Sequence, residues 1–307
     1  IILIGIPLLA IYNVYASALR GIGNSRAPFG SVLCSSVVNV ILDIMFVGGL
    51  HWGVTGAAAA TVISQAVMTV FIILYSVKKY PFLCFTIKKW SLDSMVLREG
   101  LHLGIPPMIQ SCISSFGGLI LQNFMNGFGT QTVAAITTAY RVDTIILLPI
   151  INLGSGISTM VAQNFGAGKR KQITKIVYAG TAMMICVSLL LTWLVLETGG
   201  YLISMFGVSP ASAEIGKDFF QRIAAFYVIY GLAMSIRGYI EGIGDVLYSS
   251  ISGMIALISR IIFSYAFVGV CQNMIIAYAE AGSWGVLFLL YVSRILWKKK
   301  VSFQNKN

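Results

Sequence analysis

The chain has 307 residues, of which 57% are hydrophobic and only 10% carry a charge. A soluble domain averages about 25% charged residues, so this composition excludes a water-soluble globular protein and indicates an integral membrane protein. The net charge of +11 does not indicate nucleic-acid binding, because the basic residues fall in short loops between apolar runs, as in proteins oriented in a membrane.

Nine apolar runs, each near the roughly 20 residues that a bilayer-spanning helix needs, occur along the chain. In chain order they are Ile1–Leu19, Pro28–Leu50, Val54–Val77, Leu101–Phe128, Thr132–Gln163, Ile176–Leu196, Ile215–Ile236, Val246–Val270 and Asn273–Leu296. They predict an all-α integral membrane fold.

Basic residues alternate between the loops of these nine spans. Lysine or arginine occurs in the first, third, fifth and seventh loops and in the tail, whereas the second, fourth, sixth and eighth loops have none. The positive-inside rule therefore predicts that the odd loops and the carboxyl-terminal tail are cytoplasmic, as expected for a multi-pass protein of the cell membrane. Ile1 then lies on the outer side, and we expect an odd number of further spans upstream.

A Gly-x-Gly corner occurs twice and indicates an internal duplication. Arg20-Gly21-Ile22-Gly23-Asn24 is matched by Glu241-Gly242-Ile243-Gly244-Asp245, at an offset of 241 − 20 = 221 residues. A second echo, Trp52-Gly53 against Trp284-Gly285, has an offset of 284 − 52 = 232 and predicts an insertion between the two markers. Six spans per copy predict two six-helix bundles related by a pseudo-two-fold axis, with about nine of twelve helices in this chain.

The longest polar stretch between spans predicts the division of the chain into domains. We assign 1–77 to the second half of the first bundle, 78–100 to a cytoplasmic linker, 101–297 to the second bundle and 298–307 to a basic cytoplasmic tail. Ser91–Leu101 is a candidate interfacial helix within the linker.

Asp43, well inside the second span, is the most informative polar residue. Asn39 precedes it by four residues, which places both side chains on one helical face, and Thr61 on the next span could add a hydroxyl. An acid at bilayer depth is costly unless it is hydrated, paired or neutralised, so it is functional by default. Because Na⁺ prefers hard oxygen ligands and a buried carboxyl also suits a proton, the three residues form a candidate site for Na⁺ or H⁺. The alternative is an aspartate that only hydrogen-bonds between helices.

The second bundle holds four more charges within its spans: Arg141, Asp143, Arg260 and Glu280. A mixed network would neutralise all four, and both structural locking and proton relay are open as its role. At the 221-residue offset, Asn39 corresponds to Arg260 and Asp43 to Ser264. A fixed positive charge repels Na⁺, so any Na⁺ site is expected in the first bundle only.

Pro149 is the best hinge candidate, because proline frees a backbone carbonyl and kinks a helix. Gln122 and Asn123, near the end of the fourth span, are candidates for lining a cavity or the outer mouth. The sequence contains no Ser-His-Asp set, complete phosphate loop or metal-ligand cluster, so neither an enzyme nor a bound cofactor is expected.

The combined motifs resemble those of the multidrug and toxic compound extrusion (MATE) family over essentially the whole chain. The segments that carry the resemblance are Ala18-Leu19-Arg20-Gly21-Ile22-Gly23-Asn24 with Pro28, Asn39-Val40-Ile41-Leu42-Asp43, Gly53-Val54-Thr55-Gly56-Ala57, Tyr140-Arg141-Val142-Asp143 and Val161-Ala162-Gln163-Asn164-Phe165-Gly166-Ala167-Gly168. The resemblance implies twelve helices in two lobes and export of cationic or amphipathic drug-like molecules in exchange for Na⁺ or H⁺.

In the branch similar to DinF proteins, a cation site joins an Asp of helix one to an Asn and an Asp of helix five and a Thr of helix six. The last three match Asn39, Asp43 and Thr61, whereas the helix-one Asp has no counterpart in this chain. Another branch carries an acid in helix seven, where this chain has Ser114. The implied partners are drug-like small molecules, the coupling cation and the lipid bilayer, and we expect a monomer.

Two rival functions stay open. A flippase for lipid-linked precursors of the same superfamily would use cationic side chains to hold phosphate; Arg141 and Arg260 favour it, and Asp43 and Asp143 weigh against it. A channel or scaffold without ion coupling is the other rival, and dependence of flux on an ion gradient would exclude it.

Overall fold

The computed structural model describes residues 1–83 and 93–304, with side chains up to residue 297. All regular elements in these residues are helical, and nine segments are long and apolar enough to cross a membrane, which confirms the predicted fold class. Lys88, Lys89 and the first two residues of the predicted interfacial helix, Ser91 and Leu92, lie outside the described residues. The rest of that helix, from Ser94, is the start of the fourth span.

The chain packs as two compact units, unit 1 (Ile1–Leu92) and unit 2 (Asp93–Asn307). The helices of unit 1 are α1 (Ile6–Gly21), α2 (Arg26–Asp43) and α3 (Gly53–Lys79), with a 3₁₀ turn (Ile2–Gly5) before α1 and a π-helix (Ile44–Gly49) after α2. Apolar side chains of α1, α2 and α3 form its small core, namely Tyr12, Ala16, Leu19, Ala27, Met68 and Ile72.

Unit 2 contains the remaining helices: α4 (Ser94–Asn126), α5 (Thr130–Gly166), α6 (Arg170–Ser204), α7 (Pro210–Ile223), α8 (Tyr227–Gly242), α9 (Val246–Ala266), α10 (Val268–Cys271) and α11 (Ile275–Gln304). A 3₁₀ turn at Ala224–Phe226 joins α7 to α8, so the predicted seventh span is a pair of helices. The core of unit 2 includes the fully buried side chains of Ile150 from α5, Phe219 from α7 and Tyr227 from α8.

Glycines bring α5 and α8 into direct backbone contact. A β-carbon added at Gly238 of α8 would lie 2.6 Å from the carbonyl oxygen of Gly154 of α5. Membrane helices lack a hydrophobic driving force between them and gain from such close approach at small residues. The α5–α8 pair therefore forms a closely packed centre against which the polar side chains of unit 2 are held.

The two Gly-x-Gly corners have the same backbone structure. In the first, the Asn24 amide donates to the Leu19 carbonyl at 2.8 Å; in the second, the Asp245 amide donates to the Ile240 carbonyl at 3.0 Å. Gly23 and Gly244 have φ of 87° and 86°. Both corners are Schellman helix ends, in which glycine supplies the left-handed residue.

Helix boundaries follow the same offset and support the duplication. Helix α1 maps onto α8 at both ends, since 6 + 221 = 227 and 21 + 221 = 242. The third helices start at Gly53 and Ile275, a difference of 222.

The predicted insertion between the glycine and tryptophan markers is wrong. Trp52 caps the start of α3, whereas Trp284 lies nine residues inside α11, because 284 − 275 = 9. The two Trp-Gly pairs therefore match in letters but occupy different places in the repeat.

We expect Gly244→Ala to destabilise the protein by about 1–2 kcal/mol, because a residue with a β-carbon is strained in the left-handed region. Nothing lies within 4 Å of the added β-carbon, so the effect reports on the backbone alone. The matched control is Gly285→Ala inside α11, which also has open space and ordinary helical backbone and should be neutral or slightly stabilising. Equal melting temperatures for the two purified variants would contradict the role of the corner.

Candidate functional site

Helices α2 and α3 are held in a fixed register. The Ser35 hydroxyl of α2 donates to the Ser64 carbonyl of α3 at 2.8 Å, and at the turn between the helices Phe46 stacks on Trp52 with ring centroids 5.1 Å apart. The two helices run antiparallel, so equal steps of about 1.5 Å per residue from the Ser35–Ser64 contact place Asn39 level with Ala60, the neighbour of Thr61. One turn further, Asp43 is level with Gly56.

Four side chains of α2 and α3 have a buried polar atom without a hydrogen-bond partner among the described residues. Asn39 Nδ2, Asp43 Oδ1 and Gln65 Oε1 belong to the region of the predicted site, and Ser76 Oγ lies about three turns beyond Gln65 along α3. Leaving such a group unsatisfied costs about 1–3 kcal/mol, and more for a charged group, so each requires an explanation such as an ion or an ordered water. Asp43 Oδ1 can be satisfied by a cation, a proton or a water, whereas Asn39 Nδ2 is a donor, so Asn39 can ligate a cation only through its amide oxygen.

Thr61 keeps its oxygen available to such a site. Its hydroxyl donates its hydrogen to the Ala57 carbonyl at 2.9 Å, which leaves the oxygen lone pairs as acceptors. Gln65, one turn along α3, was not among the predicted site residues; its side chain lies against Gly5, in the turn before α1. Its four-residue spacing from Thr61 is the sequence signal that could have identified it.

The helix changes its hydrogen-bonding pattern directly after Asp43. Asp43 is the last residue of α2, and Ile44–Gly49 form a π-helix, in which the Leu50 amide donates to the Met45 carbonyl at 2.8 Å. Single π turns in membrane and soluble helices occur frequently at functional sites. The sequence analysis missed this feature, for which Gly48-Gly49 is the only local signal.

Unit 2 gathers three of its four predicted charges with two tyrosines. The Arg260 guanidinium donates through Nη2 to the Tyr140 hydroxyl at 2.6 Å and to Glu280 Oε2 at 3.2 Å. The Tyr227 hydroxyl donates to Asp143 Oδ1. Asp143 and Glu280 are 3% and 8% exposed, so both carboxyl groups are withdrawn from solvent.

Arg141 does not belong to this cluster, contrary to the prediction of a four-membered network. It is exposed and lines a cavity of about 570 Å³ together with Asn126, Thr130 and Thr137. The reason is helical geometry: two residues from Asp143 correspond to about 200° of rotation, which points Arg141 away from the core.

The remaining predicted residues lie on α4 and α5. Gln122 is half-buried and donates to Asn126 Oδ1 at 3.3 Å, and Asn123 is exposed. Pro149 lies within α5, which is assigned as helix from Thr130 to Gly166. In the described part of the chain, no group of three or more His, Cys, Asp or Glu side chains is arranged to hold a metal ion.

Comparisons with known proteins agree with this architecture. The family model described as MatE matches residues 106–266. The chain is 28% identical over 255 residues to the probable multidrug resistance protein YpnP of Bacillus subtilis, covering 82% of this chain. It is 25% identical over 281 residues to the multidrug export protein MepA of Staphylococcus aureus, covering 88% of this chain. It spans 56% of the length of YpnP and 61% of the length of MepA.

Solved structures share the fold. An outward-facing multidrug resistance MATE family transporter matches with a TM-score of 0.86 and 20% identity, over 98% of this chain and 68% of its own. A transporter of the MOP superfamily from Pyrococcus furiosus matches with a TM-score of 0.86 and 22% identity, over 95% of this chain and 67% of its own.

We expect Glu280→Gln to destabilise the protein by about 3 kcal/mol, because removing one partner leaves the other charge in a poorly solvated site. The side chains of Arg260 and Glu280 are 20% and 11% exposed. The control is Asp218→Asn, which breaks an i,i+4 pair with Arg222 whose side chains are 39% and 36% exposed, and should cost less than about 1 kcal/mol. Similar losses of thermal stability in both variants would refute the buried role of the cluster.

Proposed function

The chain belongs to the MatE family, and on that premise we propose that it is part of a cation-coupled antiporter of the cell membrane. The antiporter exports cationic or amphipathic drug-like molecules by alternating access, as a monomer without a cofactor. Support for drug-like substrates comes from YpnP and MepA, which are named for multidrug resistance and multidrug export. The basic odd loops and tail support a cytoplasmic carboxyl terminus.

The unsatisfied carboxylate oxygen of Asp43 is the observation that carries the proposal. A proton would satisfy it by converting the group to a neutral acid. Na⁺ would satisfy it by direct ligation, with Thr61 Oγ1 and the Asn39 amide oxygen as further hard ligands. The amide of Asn39 can turn either its NH₂ group or its oxygen toward Asp43, so it suits both the ion-free and the ion-bound state.

Coupling requires that the ion binds the two conformations with different affinity. Asp43 is placed for this, because the register bond at Ser35 lies on one side of it and the π-helix at Ile44–Gly49 on the other. A change of the π turn would move Asp43 relative to Thr61 while the Ser35–Ser64 bond holds the rest of α2. The ion site and the conformational change would thus share one segment.

The arrangement of unit 2 gives less support to the flippase alternative. Of the two arginines that this alternative would use, Arg260 is already engaged by Glu280 and Tyr140. Only Arg141 remains exposed in a cavity where a phosphate could reach it. Accumulation of lipid-linked sugars in a deletion strain, without a change in drug resistance, would favour the flippase over the antiporter.

We expect Asp43→Asn to reduce efflux driven by an ion gradient by more than tenfold, because an amide cannot exchange a proton or balance Na⁺. The measurement is efflux of a fluorescent amphipathic dye from proteoliposomes under imposed Na⁺ or H⁺ gradients. Asp218→Asn serves as the control, since that carboxylate is exposed on α7, and should transport normally. Undiminished gradient-driven efflux by a well-folded Asp43→Asn protein would refute the proposal.

We expect Thr61→Val to weaken binding of the coupling ion by about tenfold, or 1.4 kcal/mol, because one oxygen ligand is lost at nearly constant volume. Thr61→Ser retains the hydroxyl and should bind within about twofold of the original protein. Ion concentration dependence of dye efflux gives both affinities. An equal loss in the two variants would indicate packing, not ligation, as the role of Thr61.

A further inference from the structure

Unit 2 has a counterpart of the candidate ion site, and the duplication defines where it lies. The corners and the ends of α1 and α8 share the 221-residue offset, so residues of α2 and α9 correspond one to one. Asn39 corresponds to Arg260, since 39 + 221 = 260, and Asp43 corresponds to Ser264. The guanidinium therefore stands where unit 1 presents its amide.

The two counterparts differ in how their polar groups are satisfied. In unit 1, Asn39 Nδ2 and Asp43 Oδ1 have no partner among the described residues. In unit 2, Arg260 bonds to Tyr140 and Glu280, its guanidinium lies over the Tyr140 ring at 5.3 Å from the centroid, and the Ser264 hydroxyl donates to the Arg260 carbonyl at 2.9 Å. The polar demand that unit 1 leaves open is met in unit 2 by the chain itself.

The carboxylate also comes from a different helix in each unit. At the 222-residue offset of the third helices, Glu280 of α11 corresponds to Ala58 of α3, so its carboxylate comes from the third helix of the repeat, whereas Asp43 comes from the second. Glu280 accepts from Arg260, and the carboxyl group of Asp143 accepts from Tyr227 in the same core. The cluster around Glu280 thus combines two carboxyl groups with one guanidinium, and all three are covalently attached to the protein.

We propose that the Arg260 guanidinium is a tethered cation that fills, in unit 2, the position that the coupling ion takes in unit 1. This inference rests on the proposed ion site at Asp43. Unit 2 then binds no exchangeable ion, and each transport cycle carries ions only through unit 1. Replacing Arg260 with the residue of unit 1, Arg260→Asn, removes the resident charge and leaves Glu280 to bind a monovalent cation from solution.

The test is equilibrium binding of ²²Na⁺ to the full-length protein in detergent, with choline chloride holding the ionic strength constant. We expect Arg260→Asn to bind one more Na⁺ per protein than the original chain does. Arg260→Lys keeps a tethered charge, and Arg260→Asn with Glu280→Gln removes the carboxylate, so neither should gain a site. A Na⁺ count that does not rise in a monodisperse Arg260→Asn protein would overturn the inference.

A second measurement does not depend on Arg260→Asn, because it keeps the original arginine and is made on the monodisperse fraction of a different variant. We expect Glu280→Gln to leave the Na⁺ count of the protein unchanged. A lower count in Glu280→Gln would mean that unit 2 binds an exchangeable ion in the original protein and would overturn the inference. The proposed ion site in unit 1 has its own test: normal gradient-driven efflux by Asp43→Asn would refute it. That result would not change the difference in Na⁺ count that we expect between Arg260→Asn and the original chain.

Discussion

A carboxylate inside a membrane protein needs a cation, a proton or several hydrogen bonds within reach, because neither lipid nor a dry core replaces its hydration. Both units of this protein contain such a carboxylate, and they meet the need differently. In unit 2, Arg260 supplies a covalently attached charge to Glu280, with Tyr140 as a further partner. In unit 1, no described side chain bonds to Asp43 Oδ1, which leaves that oxygen to a partner from solution. The difference between a fixed and an exchangeable partner is what makes unit 1 suitable for coupling.

The duplication explains how one architecture holds two kinds of site. The Schellman corners, with glycine in the left-handed region, set the same course for the chain into the second helix of each repeat. The side chain of the residue after each corner bonds to the third helix, but with different chemistry in the two units. The side-chain amide of Asn24 donates to the Tyr75 hydroxyl, and the Asp245 carboxylate accepts from the Arg294 guanidinium. Backbone geometry is kept because few residues can replace a left-handed glycine, whereas the side chains inside each bundle are free to diverge.

Helical periodicity accounts for which parts of the site were predictable. Asn39 and Asp43 are four residues apart, and that spacing is enough to place them on one face. The same rule places Arg141 and Asp143 on different sides of α5, because they are two residues apart. The prediction of one network relied on charge balance instead, and the structure places Arg141 on the exposed side of α5. Tyr140 and Tyr227 were missed because a tyrosine in an apolar span has no local signal that distinguishes a hydrogen-bond donor from a packed ring.

The sequence by itself determined the membrane class, the number of spans in the described residues and the presence of a repeat, because these depend on composition, length and glycine position, which are local. It also drew attention to Asp43, an acid in the second span, whose side chain is half-buried. Only the tertiary structure decided that Arg260 reaches across to Glu280, that Asp143 is held by Tyr227 and that a π-helix follows Asp43. Those features depend on how helices that are far apart in the sequence pack against each other. The angle of each helix about its own axis decides which side chains meet, and no single residue determines that angle.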